Sequence, residues 1–335
     1  MPSQATEYTP GVPDWSTVHE PTGELFPPIQ SKDEWERLKL TDEQVNTFHE
    51  QGFLLNVPVL TEEQCDKILD DYKYFMGGSH HPGKNMLYEY HSNQAEDPDN
   101  VLVHVLGHWR LTKLFHDLAF HPKIVRAASQ LLGDKGENVG VRFWHDQLFA
   151  KPAKHGGVVA WHQDYSYWTR TAPMSHLTVH VALDDQVEDN GGLKYIPGSH
   201  RWTRNGGKPL PVLDFNFKDM EGIKTILTDE ENAQFKPVMG LLKKGECSIH
   251  HALSVHGSYG NKSDRPRRAA VVNYFKDGVQ SVSEEEMLFS HTSDETAHVN
   301  DPRRRCHVPK VIWEICGSKM EGQFFPLVFD PAWVN

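Results

Sequence analysis

Short runs rich in β-forming residues, each closed by a turn containing Gly, Pro, Asn or Lys, follow one another from about residue 138 to residue 276. Regularly spaced strands with this punctuation indicate a β-sandwich or a closed barrel. Length alone suggests about two domains, but β-folds of this kind often exceed about 200 residues as one unit, so we predict one. The six runs are Val139–Phe149, Val158–Tyr165, Leu177–Leu183, Gly192–Ile196, Glu246–His251 and Ala269–Phe275.

Helical patterns precede this β-region. Thr41 and Gln44 have the spacing of a capping box and predict a helix that ends at about Gln51, and residues 61–64 begin a second helix. Residues 111–132 predict one or two further helices. The Pro-, Ser-, Thr- and charge-rich residues 1–40 predict an extended arm. We therefore predict one domain over 41–335, with a helical layer at 41–135, a β core at 138–276 and a C-terminal extension at 277–335.

The charge balance bears on the possible partners. Lys and Arg total 34 against 46 Asp and Glu, a net charge of −12, which argues against a dedicated binder of nucleic acid or anionic membranes. No apolar run approaches the roughly 20 residues of a membrane span. The four cysteines are widely spaced and no signal peptide pattern begins the chain, so we expect reduced thiols and a cytoplasmic location. The expected partner is a small-molecule substrate, and no oligomeric state is predicted.

The 21 histidines make a metal site worth seeking. In Trp161-His162-Gln163-Asp164, residues two apart on a strand point to the same face, so His162 and Asp164 can present an imidazole and a carboxylate to one point. A third ligand from the stretch 250–258 would complete the two-histidine, one-carboxylate triad of non-heme Fe(II) oxygenases. On local evidence His250, His251 and His256 are all candidates.

A basic cluster follows these histidines. A guanidinium on the strand after His256 could pair bidentately with the carboxylate of a molecule that chelates the metal. Arg267 is the candidate favoured by its distance along the chain from His256, and Arg265 and Arg268 are its rivals.

Over roughly residues 41–276 the chain resembles the phytanoyl-CoA dioxygenase family of Fe(II)- and 2-oxoglutarate-dependent oxygenases. The resemblance implies a mainly β (α+β) fold, with a double-stranded β-helix core (a cupin-like jelly roll) and the N-terminal helices packed outside it. The segments that carry it are QGFLLNVPVLTEEQCDKIL, HPKIVRAASQLLG, QLFAKP, WHQDYSYW, HVALDD, NGGLKYIPGSH and HGSYGNKSDRPRRA. The stretch WHQDYSYW also resembles ectoine hydroxylase of the same superfamily.

The resemblance assigns roles to individual residues. It implies that His162, Asp164 and His256 bind the iron and that Arg267 binds the distal carboxylate of 2-oxoglutarate, with O2 as the second cosubstrate. It also implies cosubstrate contacts at three further positions and a departure at one, where a family lysine aligns with His104. Those three positions are Gln147, His180 and Ser258.

The residues after the His-x-Asp pair are candidates for substrate contacts, because alternate members should face the barrel mouth. They are Tyr165, Tyr167 and Trp168. The implied reaction is hydroxylation, or a related oxidation, of a C–H bond in a small metabolite, with succinate and CO2 as co-products. A halogenase is less favoured because Asp164 is present. The alternatives from other classes are a catalytically silent small-molecule-binding jelly roll and a zinc-dependent hydrolase.

Overall fold

Two antiparallel sheets form the core of the protein, and a two-stranded ribbon accompanies them. The structure is a computed structural model that describes residues 11–76, 86–87, 89–91, 102–211, 220–282 and 319–334. Its strands in these ranges are β1 (Phe53–Pro58), β2 (Glu89–His91), β3 (Val103–Leu106), β4 (Val141–Lys151), β5 (Val159–His162), β6 (Thr171–Ala172), β7 (His176–Ala182), β8 (Leu193–Tyr195), β9 (Val238–Met239), β10 (Glu246–His251), β11 (His256–Ser258), β12 (Arg267–Lys276), β13 (Gln280–Ser281) and β14 (Leu327–Phe329).

The strand order is that of a jelly roll. The larger sheet runs β1-β10-β7-β12-β4-β3-β2, with β14 also paired to β4, and the smaller sheet runs β5-β11-β8-β9. Neighbours in each sheet are mostly distant in sequence, as in double-sheet Greek-key folds. The predicted fold class, a mainly β jelly roll with helices outside it, is confirmed.

Strand β12 lies at the centre of the larger sheet and pairs with β7 on one side and β4 on the other. Its register sets Arg267 opposite Lys151 at one end and Asn273 opposite His145 further along. Because side chains alternate along a strand, Arg267 and Asn273 point to the same face. That face looks toward the smaller sheet, since the Arg267 side chain reaches Ser258 of β11.

The helices lie outside the sheets. Their apolar faces share one hydrophobic core with the strands, in which Phe48, Leu118 and Ile124 of the helices belong to the same buried cluster as Val179 and Val272. The helices of the described residues are α1 (Lys32–Arg37), α2 (Asp42–Gln51), α3 (Glu62–Met76), α4 (Lys113–Ala119), α5 (Pro122–Leu132) and α6 (Asp229–Gln234). Among the residues described, no helix combines the length and the apolar character needed to cross a membrane.

The boundaries of α2 follow from local chemistry. Thr41 and Gln44 form the predicted capping box, and Gly52 ends the helix in the left-handed conformation at φ 84°. A Cβ at this glycine would lie 2.4 Å from the Nδ1 atom of His200 and 2.6 Å from the Oγ atom of Ser254. Gly52 therefore serves both the turn and the close packing of α2 onto the sheet.

The N-terminal arm is not extended throughout, which corrects the prediction for residues 1–40. Ser31 caps the helix α1 by accepting a hydrogen bond from the backbone N–H of Glu34, and acidic residues occupy the first turn. The preceding segment is held by Asp117 of α4, whose carboxylate accepts backbone N–H groups of the arm, among them that of Leu25 at 2.9 Å. Residues 1–10 lie outside the described part of the chain.

The C-terminal segment contributes to the main sheet, because β14 pairs with the start of β4. Most of the predicted extension, residues 283–318, lies outside the described residues, as do residues 77–85, 88, 92–101 and 212–219.

Candidate active site

Three residues that the sequence singled out converge at one end of the smaller sheet. His162 is the last residue of β5, His256 is the first residue of β11, and the two are paired directly across the sheet. Asp164 begins a short 3-10 turn just after β5, so the predicted strand over residues 158–165 is too long and the two ligand candidates do not share one strand face. The turn brings the carboxylate to the histidines, and one donor atom of each residue lies within 4.8 Å of the others.

The two imidazoles are oriented for metal binding. The Nδ1 atom of His162 lies 2.8 Å from the carbonyl oxygen of Ala160, and that of His256 lies 3.0 Å from the carbonyl oxygen of Ser254. A carbonyl oxygen only accepts, so each Nδ1 donates and each neutral ring keeps the lone pair on Nε2. Both Nε2 atoms face the Oδ1 atom of Asp164, at 3.4 and 3.6 Å. Two imidazole nitrogens and one carboxylate oxygen fit Fe(II) with open positions.

The second oxygen of Asp164 is held by the larger sheet. The Thr178 hydroxyl donates to Oδ2 at 2.6 Å, and the His250 Nε2 atom lies 3.1 Å from the same oxygen. Burial by itself raises the pKa of Asp164, but the imidazoles around the carboxylate, with His256 first and then His162 and His250, outweigh it and hold that pKa well below its ordinary value. Asp164 is thus a carboxylate with Oδ1 directed at the two histidines.

A chain of hydrogen bonds crosses four strands and ends at this carboxylate. His104 of β3 lies 2.9 Å from the Oε1 atom of Gln147, whose Nε2 group donates to Asn273 at 3.0 Å. Asn273 donates to Thr178 at 2.8 Å, and Thr178 donates to Asp164. Because the acceptor on Gln147 is its carbonyl oxygen, His104 is the donor there, and every donor in the chain points toward Asp164.

The Arg267 side chain is 2% exposed and its Nη2 group donates to the Ser258 hydroxyl at 3.1 Å. Its Nε atom has no hydrogen-bond partner, and no carboxylate oxygen of the described residues lies within 4.0 Å of the guanidinium. Burial lowers the pKa of Arg267 to about 10, which leaves it charged at neutral pH. A buried cation in this state calls for an anionic ligand.

The rival arginines lie elsewhere. Arg268 faces the other side of β12, where it forms a bidentate ion pair with Asp184 at 2.7 and 2.8 Å. Arg265 lies in the turn before the strand and is exposed. The alternation of side chains along β12 therefore places Arg267 and Arg268 on opposite faces of the strand.

Of the remaining cosubstrate candidates, Gln147 and His180 lie on the inner face of the larger sheet and Ser258 lies on the smaller sheet. Gln147 is half-buried within the chain of hydrogen bonds described above. His180 is buried on β7, with Nε2 3.0 Å from the Oε1 atom of Gln186. Burial, followed by the charge of Arg267, lowers the pKa of His180 to about 3, so this imidazole is neutral. Ser258 follows His256 on β11 and contacts Arg267.

The three aromatic residues proposed to contact the substrate separate into two groups. Tyr167 is half-buried and its ring meets His162 edge-on at 5.8 Å between centroids. Tyr165 and Trp168 are buried, the former with its hydroxyl on the Thr171 carbonyl and the latter packed against Trp144 at 6.4 Å between centroids. Of the three rings, that of Tyr167 contacts a histidine of the triad, which favours a packing role for the other two.

The sequence left His250 and His251 as rivals of His256 for the third position of the triad. His250 lies behind Asp164, where it contacts the carboxylate from the side of the larger sheet. His251 points away from the centre and packs near His200, with 5.4 Å between ring centroids. Among the described residues, the group that could hold a metal contains His256 and neither rival.

Sequence reasoning missed three residues of the site: Lys151, Thr178 and Asn273. Lys151 lies fully buried beside Ser258, while the other two belong to the chain that ends at Asp164. Strand alternation was the available signal, because Thr178 stands two residues before His180, and Asn273 stands on the face of β12 that carries Arg267.

Comparison with known proteins agrees with this geometry. The sequence profile described as phytanoyl-CoA dioxygenase matches residues 48–269, well over half of the chain. A probable alpha-ketoglutarate-dependent hypophosphite dioxygenase of Stutzerimonas stutzeri is 27% identical over 237 residues, covering 69% of this chain and 77% of that protein. A phytanoyl-CoA dioxygenase domain-containing protein 1 homolog of Caenorhabditis briggsae is 31% identical over 189 residues, covering 52% of this chain and 60% of that protein.

The fold has a close counterpart among solved structures. The non-heme alpha ketoglutarate dependent carbocyclase from nogalamycin biosynthesis superposes with a TM-score of 0.61 at 20% identity, over 90% of this chain and 100% of the other. At that identity the likeness concerns the fold. Together with the family match and the convergence of His162, Asp164 and His256, it leads to one conclusion: the chain belongs to the phytanoyl-CoA dioxygenase family of Fe(II)- and 2-oxoglutarate-dependent oxygenases.

Proposed function

We propose that this protein hydroxylates, or otherwise oxidises, a C–H bond of a small polar metabolite, with 2-oxoglutarate and O2 as cosubstrates and succinate and CO2 as co-products. The observation that carries the proposal is the pairing of two sites in one barrel. A buried triad of metal-binding type lies on the smaller sheet, and a buried guanidinium without a carboxylate partner in the described residues points into the same interior.

The side chains of the site have separate roles in this reaction. His162, Asp164 and His256 would hold the iron, and Arg267 would hold the distal carboxylate of 2-oxoglutarate. Bound iron, together with 2-oxoglutarate and O2, supplies the oxidising chemistry. The hydrogen bonds from Thr178 and His250 keep the Asp164 carboxylate in one orientation. The burial of these groups excludes bulk water from the reaction.

The presence of Asp164 favours oxygenation over halogenation. A halogenase of this type needs room for a halide in place of the carboxylate ligand. Here the Asp164 carboxylate is buried and accepts hydrogen bonds from the larger sheet, so it occupies the position that a halide would need.

The proposed substrate class rests on the lining of the interior. The half-buried side chains on the inner face of the larger sheet include the imidazole of His104, the amide of Gln147 and the ring of Phe149, and on the other side Tyr167 contacts His162. Polar groups beside aromatic rings suit a small polar molecule better than a long acyl chain, which would remove these polar groups from water and offer them no hydrogen bonds of its own.

We also propose that the protein works in the cytoplasm. The support is the state of its cysteines: Cys65 and Cys247 are buried free thiols, and burial raises the pKa of Cys65 to about 12. Such thiols are inert and are typical of a reducing compartment.

The test is a substrate screen with purified protein, Fe(II), 2-oxoglutarate and O2. Succinate release is measured against libraries of amino-acid derivatives, other small polar metabolites and acyl-CoA thioesters. We expect stimulation by a member of the polar sets, and its loss in Asp164→Ala. Stimulation by acyl-CoA alone would contradict the substrate class. Hydrolysis with zinc, without any succinate, would contradict the reaction itself.

A further inference from the structure

The chain between β8 and β9 packs on the face of the smaller sheet that lies opposite the triad. Trp161 precedes His162 on β5, so its side chain points away from the candidate metal ligands. It lies in a buried apolar cluster with Trp202 and Leu210 of the β8–β9 connection, residues 196–237. This connection therefore covers the outer side of the strand that carries the first ligand.

Gln163 crosses from the triad to the β8–β9 connection. It stands between two candidate ligands in sequence and is 1% exposed. Its amide N–H groups donate to the carbonyl oxygens of Trp202 at 2.9 Å and Leu253 at 2.8 Å, and its amide oxygen accepts the backbone N–H of Leu210 at 2.7 Å. Both donors and the acceptor oxygen of this buried amide are thus paired. Because Leu253 lies three residues before His256, Gln163 also reaches the segment that leads to the third ligand.

The backbone of Leu210 is held from both sides by residues that flank Asp164. Its N–H group donates to Gln163, one residue before the aspartate, and its carbonyl oxygen accepts the hydroxyl of Ser166 at 2.6 Å, two residues after it. Leu210 is 2% exposed, so these backbone groups have little access to water as an alternative partner. Ser166 also immediately precedes Tyr167, the aromatic residue that contacts the triad.

The β8–β9 connection has supports of its own away from this turn. The guanidinium of Arg204 forms a bidentate ion pair with Glu231 of α6, with both bonds at 2.9 Å. The ring of Trp202 stacks on Phe235, with 6.5 Å between the centroids. These contacts attach residues 202–210 to the second part of the connection independently of the triad.

We propose that Gln163 and Ser166 are positioning residues, through which the β8–β9 connection fixes the turn that carries Asp164 and Tyr167. The larger sheet holds the Asp164 carboxylate from the inside, and Leu210 holds the turn from the outside. The proposal rests on the proposed function, since it takes Asp164 as a metal ligand, and it deepens that function. It makes the connection a determinant of metal affinity and of the orientation of Tyr167 beside the metal.

The physical reason is that a turn held in this way is ordered before the metal binds. A released turn would have to become ordered on binding, and the entropy lost in that step would weaken metal affinity. The competing explanation is that the same hydrogen bonds only attach the connection to the barrel. Their loss would then lower the free energy of unfolding and leave the metal site as it is.

The experiment combines three measurements: calorimetric titration of the metal-free protein with Co(II), the visible absorption bands of the bound Co(II), which report ligand geometry, and urea unfolding of the metal-free protein. In Ser166→Ala we expect the dissociation constant for Co(II) to rise about 3- to 10-fold, the fold-change equivalent to one hydrogen bond between uncharged groups. The Co(II) bands should shift as well. Ser166→Thr keeps the hydroxyl and should restore the wild-type affinity and bands.

The matched control is Ser129→Ala. Ser129 lies in α5, and its buried hydroxyl donates to the carbonyl oxygen of Val139 at 2.7 Å, a bond of the same kind in the helical layer. This variant should lose at least as much stability in urea as Ser166→Ala does. Its affinity for Co(II) and its absorption bands should equal those of the wild type.

Arg204→Met tests the β8–β9 connection directly, and it keeps the test decisive if Ser166→Ala does not fold. The variant removes the ion pair with Glu231 and leaves every residue of the turn unchanged. It should weaken Co(II) binding by a smaller factor than Ser166→Ala and shift the bands in the same direction.

Wild-type affinity and bands in Ser166→Ala or in Arg204→Met, accompanied by a loss of stability, would overturn the positioning role. A wild-type protein that binds no Co(II) would instead contradict the proposed function, so the two failures are distinguishable.

Discussion

Replacing Thr178 by valine tests how the larger sheet controls the candidate metal ligand Asp164. Valine has nearly the same shape, so the change removes the hydroxyl and little else. In the protein this hydroxyl donates to Oδ2 of Asp164 at 2.6 Å and accepts from Asn273 at 2.8 Å, and the residue is buried. Its loss therefore removes one of the two hydrogen bonds to this carboxylate oxygen and leaves one amide N–H of Asn273 without its acceptor.

The expected size of the effect follows from these two bonds. A hydrogen bond to a charged group contributes about 1.5–3 kcal/mol, and a buried polar group left unpaired costs about 1–3 kcal/mol. His250 still donates to Oδ2, so Asp164 keeps part of its orientation. We expect the metal dissociation constant to rise about 10- to 100-fold, the usual cost of removing a partner of a metal ligand.

The assay is calorimetric titration of the metal-free protein with Co(II) or Mn(II), with urea unfolding of the same samples. Thr178→Ser is the matched control, because it keeps the hydroxyl and should bind metal within a few-fold of the wild type. Metal binding by Thr178→Val as tight as in the wild type would refute the inference that this hydrogen bond orients Asp164. Equal weakening in the serine variant would point to packing of the lost methyl group.

Three shorter predictions concern the rest of the molecule. His256→Ala should abolish stoichiometric iron binding in a calorimetric titration, whereas His251→Ala, which lies outside the triad, should bind iron as the wild type does. Arg267→Ala should raise the apparent KM for 2-oxoglutarate about 30-fold or more in steady-state assays with iron saturating, and the exposed Arg265→Ala should leave it unchanged. Burial lowers the pKa of His121 to about 3, below its unfolded value near 6.5, so its contribution to stability is present above pH 6.5 and is lost as the pH falls toward 3. In urea unfolding with EDTA, lowering the pH from about 7.5 to about 5.5 should therefore cost the wild type about 1.4 kcal/mol more than His121→Phe, and parallel losses in the two proteins would contradict this.

Local features of the fold were predictable because their causes are local. The capping box of Thr41 and Gln44 favours the start of a helix through hydrogen bonds between residues three apart in the chain. The Pro122–Leu132 helix ends before Gly133, as expected. The helix α1 was missed because its signal, Ser31 followed by Glu34, lies in a segment whose Pro-rich composition favoured an extended chain.

The candidate site also has features that were predictable from the sequence and features that were not. The sequence alone placed His162 and Asp164 near each other and favoured Arg267 over Arg265 and Arg268, because these relations involve neighbours in the chain. The local sequence pattern left His250, His251 and His256 open as the third ligand, and the choice of His256 rested on the family resemblance. Strand pairing supplies the physical basis for that choice, because it sets His256 opposite His162 and places His250 on the other sheet, behind Asp164.

What only the tertiary structure decided is therefore the set of contacts between strands that are far apart in sequence. Nothing near Lys151 in the sequence distinguishes it from other lysines. In the structure, the register of β4 and β12 sets Lys151 opposite Arg267, and Ser258 of β11 accepts hydrogen bonds from both. Likewise, Thr178 and Asn273 acquire their roles because β7 and β12 are paired and face the turn that carries Asp164. The residues themselves determine side-chain chemistry and local conformation. Burial and charge pairing depend instead on which strands, distant in sequence, lie next to each other, and those strand pairings create this site.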